Sequence, residues 1–168
     1  MITLRCTRKL LDRIKKPITV DPLPSTSLLG DWYANVISLP SPVRSVVIFT
    51  NEPTRLTAIV PGRGRARTVA DFQERVIDLL RRLELPSECI EREAEALAEV
   101  QVARTISRSV LGSMNDIAWQ IRVRAELSGT HQAFSLEAME MELSTLLHSP
   151  LKYRHPIDIA RELCQGAP

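Results

Sequence analysis

At 168 residues the chain suits a single domain, 1–168, large enough to hold a core without disulfides or metals. Its hydrophobic and charged fractions of 44% and 25% are those of an ordinary globular protein, and with only 4% aromatics the core falls to Leu, Ile, Val and Ala. The net charge of +2 hides a segregation, because eleven of the 22 Lys and Arg but only four of the 20 Asp and Glu lie in residues 1–68; that marks either a basic face for an acidic partner or two halves that attract each other.

No stretch approaches the ~20 apolar residues of a membrane span. The N-terminus has no apolar signal-peptide core, so the cytoplasm is the expected compartment. Cys6, Cys89 and Cys164 are odd in number, widely spaced and without a CxxC pair. They read as unpaired small hydrophobes in a reducing environment, with a reactive thiol as the alternative.

In chain order, Ile2, Leu4 and Cys6 alternate with polar residues as a half-buried strand. Lys9–Lys15 reads as a short helix stopped by Pro17, and residues 22–27 as a loop. Gly30-Asp31 turns into a strand Trp32–Leu39, followed by strands Val43–Thr50 and Arg55–Val60 with short links, which favours an antiparallel meander. After residue 67 the period becomes 3.6. Thr68 and Asp71 form a capping pattern ahead of an apolar stripe of Phe72, Val76, Leu79 and Leu83. Pro86-Ser87 opens an acidic helix, Glu88–Val102, with Ile90, Ala94 and Leu97 inward and Glu91, Glu95 and Glu99 outward. A helix follows over Ser109–Leu127 with Val110, Met114, Ile117 and Ile121 inward. Ser135 caps another, with Leu136, Met139, Leu143 and Leu146 on one face, and Pro156 sits at the start of the last. Strands first and helices after give an α+β fold: a mainly antiparallel sheet of about four strands in residues 1–60, against four to five helices in residues 69–165.

Catalytic signatures are absent from the pattern. His131, His148 and His155 stand apart, with no HExxH and no Cys/His cluster, so no metal or other cofactor is implied. There is no G-x-S-x-G and no Walker sequence. Asp31, beside Trp32 and Tyr33, is either an acid–base candidate or a turn-closing carboxylate. Arg63, Arg65 and Arg67 follow a strand and precede a capped helix, which fits either an anion or nucleic-acid contact or a solvated loop. Aromatic stacking partners are missing nearby, so a single-strand platform lacks support. Within Arg108–Ile117, Ser113, Asn115 and Asp116 are adjacent and fan out around a helix. Arg104, Arg108 and Asp116 fall on one face if the helix runs through, as an anion clamp or as a structural ion pair. Arg104, Arg108, Asn115, Asp116, Arg63, Arg65 and Arg67 are thus the candidate binding residues.

The strings Met1–Thr7 (MITLRCT), Leu29–Asn35 (LGDWYAN) and Arg108–Asp116 (RSVLGSMND) resemble a family of uncharacterised bacterial proteins, a domain of unknown function, over about residues 1–160. The resemblance implies bacterial origin and a single-domain organisation, and it brings no reaction, cofactor or catalytic residue. Two functions are expected from different classes. One is a protein-interaction or accessory module, such as the partner of a toxin, drawn from the acidic helix and the segregated charge. The other is a phosphate- or nucleic-acid-binding protein or enzyme using the Arg/Asp cluster.

Overall fold

The computed structural model describes residues 1–14, 16–39, 45–62, 67–128 and 135–166. Five strands form one sheet: β1 (Ile2–Cys6), β2 (Trp32–Ser38), β3 (Ser45–Asn51), β4 (Thr57–Pro61) and β5 (Val100–Arg104), in the order β4-β3-β2-β1-β5. β2, β3 and β4 make the expected antiparallel meander. β1 lies parallel to both β2 and β5, so the α+β sheet is mixed rather than purely antiparallel. The fifth strand lies inside the segment expected as the acidic helix Glu88–Val102. Helix α3 (Ser87–Leu97) stops early, and Val100 and Val102, β-branched and alternating, add to β1. The carbonyl of Glu99 accepts a hydrogen bond from the Ile2 amide.

The period-two faces of the sheet carry two separate cores. One holds Leu4, Cys6, Trp32, Ala34 and Phe49, covered by α1 (Arg8–Leu11), α2 (Thr68–Arg82), α3 and α6 (Pro156–Gln165). The α2 stripe Phe72, Val76, Leu79 and Leu83 is buried there as expected, and Phe72 meets Trp32 edge-on with ring centroids 5.8 Å apart. The other face holds Tyr33, Ile37, Val46, Ile48 and Ile59 under α4 (Arg108–Ser128) and α5 (Leu136–Ser144). Val110, Met114, Ile117 and Ile121 are fully buried. Helices on both faces leave little room for a solvated sheet surface, which explains the near-continuous apolar run of β3.

Local signals held unevenly. Ser135 caps α5 by accepting from the Ala138 amide at 3.2 Å, and Pro156 begins α6. The Thr68 pattern does not cap: Arg67 occupies the cap position of α2, without a side-chain bond, and Asp71 pairs with Arg67 instead. In α3 the buried face is Cys89, Glu93, Ala96 and Leu97, rotated from the expected Ile90 and Ala94.

Two of these departures have chemical causes. Cys89 and Cys164 form a disulfide between α3 and α6, leaving only Cys6 as a free thiol. This corrects the reading of three unpaired cysteines and withdraws its support for a reducing compartment. Glu93 is fully buried because it anchors the long β1–β2 connection, accepting from Ser27 Oγ at 2.7 Å and from the amides of Leu28 and Leu29 at 2.7 and 3.1 Å. Burial is the largest influence on Glu93 and raises its pKa above 4.5, although these donors and the N-terminal ammonium oppose the shift. A raised carboxyl pKa favours the folded state most below the ordinary value, and that contribution is lost as pH rises through the raised value. The stability of Glu93→Gln relative to the wild type is therefore expected to improve from pH 5 to pH 7, measured as urea midpoints. A difference that is flat or falls with pH contradicts this assignment.

Candidate functional site

β1 and β5 are parallel neighbours in register, with Cys6 opposite Arg104 at their carboxyl ends. The chain leaves them in opposite directions. From β1 it enters α1, whose Leu10 joins the first core; from β5 it enters α4, which covers the other face. Two adjacent parallel strands whose following helices go to opposite faces leave a crevice at their carboxyl ends, the usual place for a ligand in an open sheet. A cavity of about 550 Å³ lies there, lined by Cys6, Arg8, Leu11, Asp12, Ile18, Arg104 and Thr105. Its size is that of a small-molecule site.

The connection after α1 closes the crevice from the side. The Thr19 amide donates to the Val102 carbonyl at 2.7 Å, holding the strap along the outer edge of β5 and placing Ile18 at the cavity wall. Arg8 and Arg104 are exposed and form no ion pair with any described carboxylate. Cys6 offers no nucleophile, since burial pushes its thiol up to about 12 and keeps it protonated. The crevice thus presents two guanidiniums, a carboxylate and a hydroxyl above an apolar floor. Such a set has the chemistry to hold an anion, with the Cys6 thiol protonated beneath it.

Of the residues singled out by sequence, Arg104 lies in this cavity. The row Arg104–Arg108–Asp116 does not form, because Arg104 ends a strand and α4 begins only at Arg108. Ser107 starts that helix, its Oγ accepting from the Val110 amide at 3.3 Å. Arg108, Asn115 and Asp116 are exposed along α4 and do not line the crevice. Arg67 pairs with Asp71 at 3.6 Å and Glu74 at 4.0 Å and borders a different groove, along β4. Arg63 and Arg65 lie outside the described residues, as does His131. Asp31 pairs with Arg5 at 3.0 Å. The β4 groove, about 520 Å³ in volume, has its cations already matched: Arg75 meets Asp78 and Glu137 there.

Sequence reasoning missed Arg8, whose only signal was its place just past a strand. It also missed Arg55. Expected in a strand, Arg55 sits in the β3–β4 turn with φ 64°, a conformation few non-glycine residues adopt. Its side chain is buried and donates to Ser113 Oγ and Ser109 Oγ of α4, both at 3.1 Å. Ser113, set aside above because its neighbours fan out, thus fastens the turn to the helix. Burial lowers the pKa of His148, and Arg55 lowers it further, while Asp116 opposes them.

A family model for a domain of unknown function, DUF6933, matches residues 3–159. The chain belongs to that family. No curated protein matches it. For this DUF6933 member the site therefore rests on its own geometry. Among the described residues no group of three or more His, Cys, Asp and Glu could hold a metal, and no helix is long and apolar enough to cross a membrane.

Proposed function

We propose that this protein binds a small oxyanion, a phosphate or a carboxylate, in the crevice at the carboxyl ends of β1 and β5. The observation that carries the reading is the meeting of two guanidiniums without an ion-pair partner among the described residues, Arg8 and Arg104, at the place where the paths from two parallel strands diverge. Guanidinium forks match the planar or tetrahedral oxygens of such anions, and Thr105 adds a hydroxyl. Because the arginines are exposed, the attraction is sensitive to salt. Inorganic phosphate at about ten times its dissociation constant is expected to raise the melting temperature by roughly 3–5 °C at low ionic strength, and less at high salt. The double variant Arg8→Ala, Arg104→Ala should fold and lose the shift. No shift in the wild type with either phosphate or acetate contradicts the reading.

A second reading, binding of another protein, is supported by Trp119, which is 64% exposed on the outer side of α4. Trp, with its large apolar body and polar N–H, is enriched at protein interfaces. Trp119→Ser is expected to abolish capture of a partner from native lysate while leaving the melting temperature unchanged. Equal capture by both proteins sinks this reading.

A further inference from the structure

Arg8 and Asp12 are four residues apart, a spacing that puts two side chains on one face of a helical turn. They form no ion pair here, either with each other or with any other described residue. Both line the crevice, together with Arg104. Charges of both signs are thus left open in one half-enclosed space, on α1 and its C-cap residue, backbone positions about 6 Å apart along the turn. Of the remaining wall, Leu11, Ile18 and Cys6 are apolar, and Thr105 adds a hydroxyl. A simple anion would use Arg8 and Arg104 but would face the Asp12 carboxylate uncompensated. A ligand bearing a cation as well as an anion satisfies all three charges, and an apolar body between them covers Leu11 and Ile18.

We infer that the ligand of the crevice is an apolar zwitterion of about dipeptide size, its anionic end on Arg8 and Arg104 and its cationic end on Asp12. The inference rests on the oxyanion reading above and specifies its ligand. An extended dipeptide separates its ammonium and carboxylate by several ångströms, comparable to the spacing of Arg8 and Asp12, and the cavity volume admits two aliphatic side chains. Ile18 then acts as a specificity-determining residue, because the strap carries it to the wall that the apolar body meets.

The test is calorimetric titration of the full chain at low salt with leucyl-leucine, N-acetyl-leucyl-leucine, leucyl-leucine amide and glycyl-glycine. Leucyl-leucine should bind most tightly. Acetylation, which replaces the ammonium by a neutral, bulkier amide, should weaken it about tenfold, the value of one charge-assisted hydrogen bond in such a site. Amidation should weaken it at least as much, and glycyl-glycine should be weaker than leucyl-leucine. Asp12→Asn should erase the difference between leucyl-leucine and its acetylated form, and Ile18→Ser should erase the advantage over glycyl-glycine. If phosphate binds but leucyl-leucine is no tighter than its acetylated form, the zwitterion inference is overturned and the oxyanion reading stands. If neither phosphate nor any of the four peptides binds, both fall.

Discussion

Reduction of the Cys89–Cys164 disulfide is expected to lower the stability of this protein by about 2–4 kcal/mol, a fall of roughly 5–15 °C in melting temperature. The two cysteines are separated by 75 positions, so the link removes a large loop entropy from the unfolded chain and keeps α6 on α3. The variant Cys89→Ser, Cys164→Ser should unfold at the temperature of the reduced wild type and be indifferent to reductant. Thiol titration of the denatured, unreduced protein should find a single thiol, Cys6. Three thiols, or a melting temperature unmoved by reductant, would mean that the link does not form.

The second large effect is expected at Glu140. This carboxylate is fully buried on α5, accepting from the Ile59 amide at the open edge of β4 at 2.6 Å, from Arg75 Nε at 2.8 Å and from Arg82. Its burial outweighs these partners and raises its pKa. The group occupies the edge amide that would otherwise be free to pair with another strand. Glu140→Ala takes the buried partner from two guanidiniums, which keep Asp78 and Glu137, and leaves the edge N–H unpaired, at a cost of about 2–3 kcal/mol. Changing Arg75 and Arg82 to Met in the same chain should recover part of that loss in urea unfolding. A loss below about 1 kcal/mol, or no recovery, would show that the cluster does not hold α5 to the sheet.

Both effects explain where the sequence was legible and where it was not. Local and periodic features were readable: the alternation of Ile2, Leu4 and Cys6, the stripe Phe72–Val76–Leu79–Leu83, the Ser135 cap and the N-terminal Pro156 all depend on neighbours within a turn or two. Features set by distant partners were hidden. The period-3.6 stripe of α5 points Glu140 inward among Met139 and Leu143, yet nothing local names Arg75, Arg82 and Ile59 as its partners. Cys89 and Cys164 meet only because α3 and α6 share a face. Val100–Val102 is a strand because β1 offers an open edge; by pattern alone it continued an acidic helix. That error also produced the imagined row from Arg104 to Asp116. Of the candidate site, Arg104 was found for a reason that the fold does not keep. Arg8 and Asp12 were passed over because only the divergence of the β1 and β5 connections brings them beside it.

The crevice at the ends of β1 and β5 is the proposed place where this protein holds a ligand. Backbone amide chemical shifts followed during a phosphate titration locate binding residue by residue. Saturable shifts are expected at Cys6–Asp12, Ile18 and Arg104–Thr105, with Arg67, Arg108 and Asp116 unmoved. Shifts centred on Arg67 or on the first turns of α4, with the strand ends silent, would contradict it.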